Sequence, residues 1–104
     1  MCHPEIVKYI TEQAAGAGDV VAKKMFGDYA LYCNGKVVGM ICDDELYLKP
    51  IPQTASLFRE IRMQPPYEGA KPHYVLTDTD DRDYVALLVR TTADNLPPAR
   101  SKRN

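Results

Sequence analysis

The side chains that could act as nucleophiles, general bases or metal ligands are few and lie far apart along this sequence. They are His3, His73, Cys2, Cys33, Cys42, Ser56 and Ser101. A catalytic thiol or hydroxyl needs a base beside it, and a zinc site needs cysteines or histidines at paired spacings. Neither pattern occurs, and the glycines form no phosphate-binding loop. The sequence therefore predicts a protein that is not an enzyme and that holds no metal or cofactor.

The cysteines also predict the compartment. If Asn34-Gly35 is a hairpin turn, Cys42 lies about 20 Å along the ladder from Cys33, whereas disulfide-linked Cα atoms lie within about 7 Å of each other. Unbridged thiols are typical of a reducing compartment. The longest apolar or glycine run, Val37 to Cys42, is far too short to cross a bilayer. We therefore expect a cytoplasmic protein without membrane contact.

Charge is distributed unevenly along the 104 residues, although the formal net charge is only −1. Residues 1–96 carry 10 Lys and Arg against 14 Asp and Glu, whereas residues 97–104 carry Arg100, Lys102 and Arg103 and no acid. This division predicts one folded domain over residues 1–96 and a basic flexible tail over 97–104. The acidic body lacks the broad positive field that favours nucleic acid.

The elements that must position these side chains begin with a helix from Pro4 to Ala17, because apolar residues recur there at helical spacing. A strand starts at Val20. Asn34-Gly35 and Asp43-Asp44 then separate β-rich runs and predict two tight hairpin turns. The middle of the chain is therefore expected to be an antiparallel meander of four strands.

The second half of the chain adds three elements to the meander. A short second helix is predicted where apolar residues stand at helical spacing: Leu57, Phe58 and Ile61. A strand follows from His73 to Thr77. The acidic cluster from Asp78 to Asp83 then favours the N-terminus of a last helix. The predicted order is α-β-β-β-β-α-β-α, a two-layer α+β fold whose helices cover one face of an antiparallel sheet.

Pairing the two hairpins in the simplest register predicts that both faces of the sheet are apolar. The expected core face carries Ala30, Tyr32, Val37, Gly39, Ile41, Leu46 and Leu48. The second face carries Tyr29, Leu31, Val38, Met40 and Tyr47, with Cys33, Cys42, Lys36 and Lys49 around them. A solvated face normally alternates with polar residues, so the second face predicts a cover: the chain's own loops and tail, a ligand, or a second subunit.

Several segments together resemble the N-terminal domain of the TfoX/Sxy family. They are Met25 to Tyr32, Asn34 to Val37 and Asp43 to Lys49, with Ala14 to Val20 before them and Pro66 to Gly69 after them. The resemblance implies a two-layer α+β fold. Full-length members are bacterial regulators of competence for DNA uptake that act with the cyclic-AMP receptor protein at promoters and carry a second, helical domain. Because this sequence stops about where the helical domain would begin, we expect a stand-alone N-terminal domain. The resemblance supplies no catalytic residues.

Three functions remain open from the sequence. The first is a regulatory or protein-interaction domain, a homodimer or bound to another protein through the second face. The second is weak nucleic-acid binding through Lys23, Lys24 and the tail residues Arg100, Lys102 and Arg103. The third is small-molecule binding near Tyr67, Glu68 and His73.

Overall fold

Six strands form one antiparallel sheet with helices packed against one face, in a computed structural model that describes residues 3–25 and 27–96. The strands are β1 (Val20–Met25), β2 (Asp28–Cys33), β3 (Lys36–Cys42), β4 (Glu45–Leu48), β5 (Met63–Gln64) and β6 (His73–Leu76). The helices are α1 (Pro4–Ala14), which ends in a 3₁₀ turn (Ala15–Ala17), α2 (Pro52–Ala55) and α3 (Arg82–Asp94). The sheet order is β1-β2-β3-β4-β6-β5. The α+β fold predicted from the sequence is confirmed.

Both predicted hairpin turns are present and have the backbone conformation that their residues favour. Asn34 and Gly35 have φ values of 54° and 83°, and Asp43 and Asp44 have φ values of 50° and 64°. Two successive residues at positive φ give the turn whose twist matches the flanking strands. The Asn34 side-chain oxygen also accepts a hydrogen bond from the Asp19 backbone N–H at 2.9 Å, which ties this turn to the start of β1.

The β2–β3 hairpin departs from the simple register at a β-bulge. Tyr32 pairs with Val37, but the next pair is Leu31 with Gly39, so Val38 is an extra residue on β3. Side chains alternate between faces with a period of two, so one extra residue exchanges the faces on one side of the bulge. Leu31 and Val38 consequently lie fully buried in the core beneath the helices.

The face assignment from the simple register is therefore wrong for β2 and for the residues of β3 before the bulge. The side of the sheet against α1 and α3, here the inner face, carries Tyr29, Leu31 and Val38. Beyond the bulge the assignment is right: Ile41, Leu46 and Leu48 belong to the core. The opposite side, here the outer face, carries Ala30, Tyr32, Val37, Met40 and Tyr47.

The second helix is shorter than predicted and lies earlier in the chain. α2 ends at Ala55, and the Arg59 backbone N–H donates to the Tyr84 hydroxyl at 2.9 Å instead of to a helical carbonyl. Phe58 packs its ring 5.2 Å from that of Tyr74. Contacts with α3 and β6 therefore decide the conformation of this segment, and it ends in the two-residue strand β5, which was not predicted.

The N-terminus of α3 confirms the capping predicted for the acidic cluster. An Asp81 carboxylate oxygen accepts a hydrogen bond from the Tyr84 backbone N–H at 3.2 Å. Leu88 and Val89 of the same helix are fully buried against the inner face. Within residues 3–25 and 27–96, no helix has the length and hydrophobicity needed to span a membrane. The predicted tail, residues 97–104, lies outside the described residues.

Candidate functional site

The outer face of the sheet has a closed half and an open half. The closed half is the buried cluster of Cys42, Tyr47 and Val75, from β3, β4 and β6. The Tyr47 hydroxyl accepts a hydrogen bond from Gln64 Nε2 at 2.8 Å, which fixes the short strand β5 beside this cluster. Burial raises the pKa of Tyr47. A neutral phenol inside a hydrogen-bonded cluster stabilises the sheet and offers no surface for a partner.

The open half lies over β1, β2 and the middle of β3. It is defined by Val21, Met25, Tyr32, Val37 and Met40. Val21 remains 40% exposed and Met25 38% exposed. Lys23 lies between Val21 and Met25 on this face, and Tyr32, Val37 and Met40 are half-buried. Exposed apolar side chains on a sheet face that is not covered mark interaction or ligand sites.

A groove lies between the open half and the loop of residues 65–72. Its floor is formed by Met25, Ala30, Val37 and Met40, and its wall by Pro66, Tyr67 and Ala70. At one end a hollow of about 530 Å³ lies between Asp28, Met25, Met40 and Tyr67. Tyr67 is 54% exposed, so its ring stands at the rim of the groove. The groove is concave and mostly apolar, which is typical of binding sites for small ligands.

The other end of the groove is basic. A hollow of about 290 Å³ continues from Met40 to Lys49, Lys71 and His73. The ring nitrogen Nδ1 of His73 lies 2.8 Å from the Lys71 carbonyl oxygen. Neither lysine forms an ion pair with any residue in the described part of the chain. Two lysines that have no ion-pair partner within residues 3–25 and 27–96 therefore line one end of a mostly apolar groove.

The structure divides the predicted interaction residues between the two faces. Met40 contributes to the open half and Tyr47 to the closed half. Tyr29, Leu31 and Val38 pack on the inner face. These three side chains belong to the core that holds the helices on the sheet.

The predicted nucleic-acid contacts are not gathered into one patch among the described residues. Lys23 lies on the outer face, with its ammonium 4.9 Å from the centroid of the Tyr32 ring. Lys24, which pairs with Tyr29, lies on the inner-face side of the same edge strand. Arg100, Lys102 and Arg103 lie outside the described residues.

Two of the residues named by the small-molecule hypothesis, Tyr67 and His73, line the groove. Glu68 is exposed and does not line the groove. Sequence reasoning missed the groove role of Met25 and Lys71, and it placed Lys49 only around the second face. Met25 and Lys71 carry no sequence signal beyond membership of the meander and the loop. The bulge that sets the outer face has one local signal, Gly39, because a glycine inside a strand often marks a β-bulge.

Burial raises the pKa of the Cys33 thiol, which keeps it protonated and poorly nucleophilic. No group of three His, Cys, Asp or Glu side chains in residues 3–25 and 27–96 is arranged to hold a metal ion. The groove is therefore the candidate functional site.

Two comparisons with known proteins bear on the chain. Residues 12–96 match the family model described as the TfoX N-terminal domain. A protein of Spirochaeta aurantia, described as an uncharacterized 12.7 kDa protein in the trpE 5′ region, is 34% identical over 96 residues. That alignment covers 91% of this chain and 84% of the Spirochaeta protein.

Proposed function

The chain belongs to the TfoX N-terminal domain family, and from that membership we propose that it is a regulatory protein-interaction domain, without enzymatic activity, that self-associates through the open half of the outer face. Its cellular role is in transcriptional regulation of the kind associated with bacterial competence. The partner is a second copy of the chain.

The observation that carries this proposal is the exposed apolar surface on β1. Val21 and Met25 are 40% and 38% exposed, and they lie on the same face as Tyr32 and Val37. Covering such side chains removes apolar area from water at roughly 25 cal/mol per Å². The lysines of β1 oppose open-ended pairing of this edge strand, so contact through the face is favoured over strand addition.

Nucleic-acid binding is a weaker alternative. Lys23 and Lys24 point to opposite sides of one edge strand, and the Lys23 ammonium already stacks on an aromatic ring. Two ammonium groups on opposite faces do not form one phosphate-binding patch. The contribution of Arg100, Lys102 and Arg103 stays a prediction.

Light scattering behind size exclusion, from low to high micromolar protein, tests the proposal. We expect a concentration-dependent dimer that Val21→Glu weakens by about tenfold or more, because a charge would replace a side chain buried at the contact. Leu87→Glu is the matched control, since Leu87 is an exposed apolar residue on α3 in the helical layer. A wild-type monomer at high micromolar concentration, or equal weakening by both variants, would contradict the proposal.

A further inference from the structure

We propose that the groove on the outer face binds a small organic anion, with an apolar body between Met25, Met40 and Tyr67 and an acid group at Lys49 and Lys71. This goes beyond self-association and does not depend on it. Met25, Val37 and Met40 belong to the open half as well as to the groove, whereas Val21 belongs to the open half and does not line the groove, so the two proposals are tested with different variants. The ligand class is a carboxylate with an aliphatic or aromatic chain.

The shape of the groove supports a ligand of this size. Its two hollows have volumes of about 530 Å³ and 290 Å³, and both are lined by Met25, Met40 and Tyr67. Ligand sites in proteins are typically concave, apolar and roughly 300–1,000 Å³ in volume. Methionine side chains are flexible and polarisable, so they adapt to apolar ligands of different shape.

The charges of the groove specify the sign and the orientation of the ligand. Lys49 is half-buried and Lys71 is exposed, and neither has a carboxylate partner among the described residues. These two lysines line the same end of the groove although residues 1–96 are acidic overall, with 14 acidic against 10 basic side chains. The hollow at the other end of the groove is lined by Met25, Asp28, Met40 and Tyr67, so no cation is among the described residues that line it. The acid group is therefore held at the lysine end.

A third hollow extends the basic end away from the groove. It has a volume of about 350 Å³, and Lys49, Lys71 and His73 line it together with Ile51 and Leu96. The lysines are thus reached from the groove on one side and from an apolar hollow on the other. An acid group between them can accept charge-assisted hydrogen bonds from both ammonium groups, which are about twice as strong as neutral ones.

Methyl NMR titration of the full chain tests this proposal, with sodium octanoate as the probe and octan-1-ol as the neutral control of the same chain length. Octanoate should shift the Met25 and Met40 methyl resonances in a saturable manner. The double variant Lys49→Gln/Lys71→Gln should weaken octanoate binding by about tenfold or more, because two charge-assisted hydrogen bonds are lost. Lys24→Gln removes a lysine on the inner-face side of β1 and should leave binding unchanged.

Three outcomes would overturn the proposal. One is the absence of Met25 and Met40 shifts up to the solubility limit of octanoate. A second is octanoate binding that the double lysine variant leaves unchanged. A third is octan-1-ol binding as tightly as octanoate, which would mean an apolar cavity without anion recognition. None of these results affects the oligomeric state measured with Val21→Glu, so the two proposals fail separately.

Discussion

Gly39 on β3 allows two strands to approach more closely than any side chain would permit. A Cβ built on Gly39 would lie 1.9 Å from the Tyr47 carbonyl oxygen and 3.0 Å from the Leu48 Cα. Both atoms belong to the backbone of β4, so no side-chain rotation can relieve the contact. Gly39 does not have a positive φ, so alanine would fit its backbone conformation. The substitution Gly39→Ala therefore tests close approach alone.

The expected cost follows from these distances. Real Cβ atoms essentially never approach another atom below 3.0 Å, so β3 and β4 must separate by about 1 Å at this point. Overpacking lowers the free energy of unfolding by about 1–3 kcal/mol. Each weakened backbone hydrogen bond lowers it by about 1 kcal/mol more. The bond from the Lys49 backbone N–H to the Val38 carbonyl oxygen, 2.9 Å long, lies directly beside the contact. We expect Gly39→Ala to lower the free energy of unfolding by roughly 2–4 kcal/mol.

Urea unfolding followed by circular dichroism measures this loss. Gly16→Ala is the matched control, because a Cβ on Gly16 would meet only the Ala86 Cβ, at the ordinary distance of 3.4 Å. The control should change the free energy of unfolding by less than about 0.5 kcal/mol. If Gly39→Ala also stayed within about 0.5 kcal/mol of the wild type, the close approach of β3 and β4 would be refuted.

Two further predictions concern contacts with α3. Thr54 and Thr92 are fully buried and share a hydrogen bond of 2.9 Å, while the Thr92 hydroxyl donates to the Leu88 carbonyl. Thr92→Val should lower the free energy of unfolding by about 1–3 kcal/mol, because it leaves the Thr54 hydroxyl without its partner. The double variant Thr54→Val/Thr92→Val should lose less than the sum of the two single variants. Additive losses in urea unfolding would show that the hydroxyls do not interact. Hydrogen bonds from Arg59 and from the Tyr84 backbone N–H lower the pKa of Asp81 from its ordinary 3.8. A carboxylate with a lowered pKa stabilises the fold above pH 3.8, and this stabilisation is lost as the pH falls. The wild type should therefore be more stable than Asp81→Asn at pH 7 and lose this advantage below pH 3.8. If the difference in stability persisted unchanged at low pH, the charge of the carboxylate would not be its cause.

The elements that sequence reasoning predicted correctly are those with local causes. Asn34-Gly35 and Asp43-Asp44 specify hairpin turns because their backbones tolerate positive φ, whatever the rest of the chain does. Asp81 caps α3 through a bond to a residue three positions away. The second helix was misplaced because its end depends on a long-range bond, from the Arg59 N–H to the Tyr84 hydroxyl.

The candidate site was only partly predictable. Tyr67 and His73 were proposed from the polar character of their loop, and both line the groove. The contribution of Lys71 depends on how this loop lies against the outer face, which no short-range pattern encodes. Met25 lies on an edge strand, and its place beside Met40 follows from the pairing of three strands.

The sequence by itself determined the order of most elements, the positions of both tight turns, the helix cap and the family. Only the tertiary structure decided which face of the sheet is core. The cause is the single extra residue Val38, which forms a bulge where β2 and β3 pack together. Because of this bulge, Leu31 points into the core. Tyr32 and Val37 lie on the outer face with Met40. Because side chains alternate with a period of two, a shift of one residue was enough to change the chemistry of the exposed face.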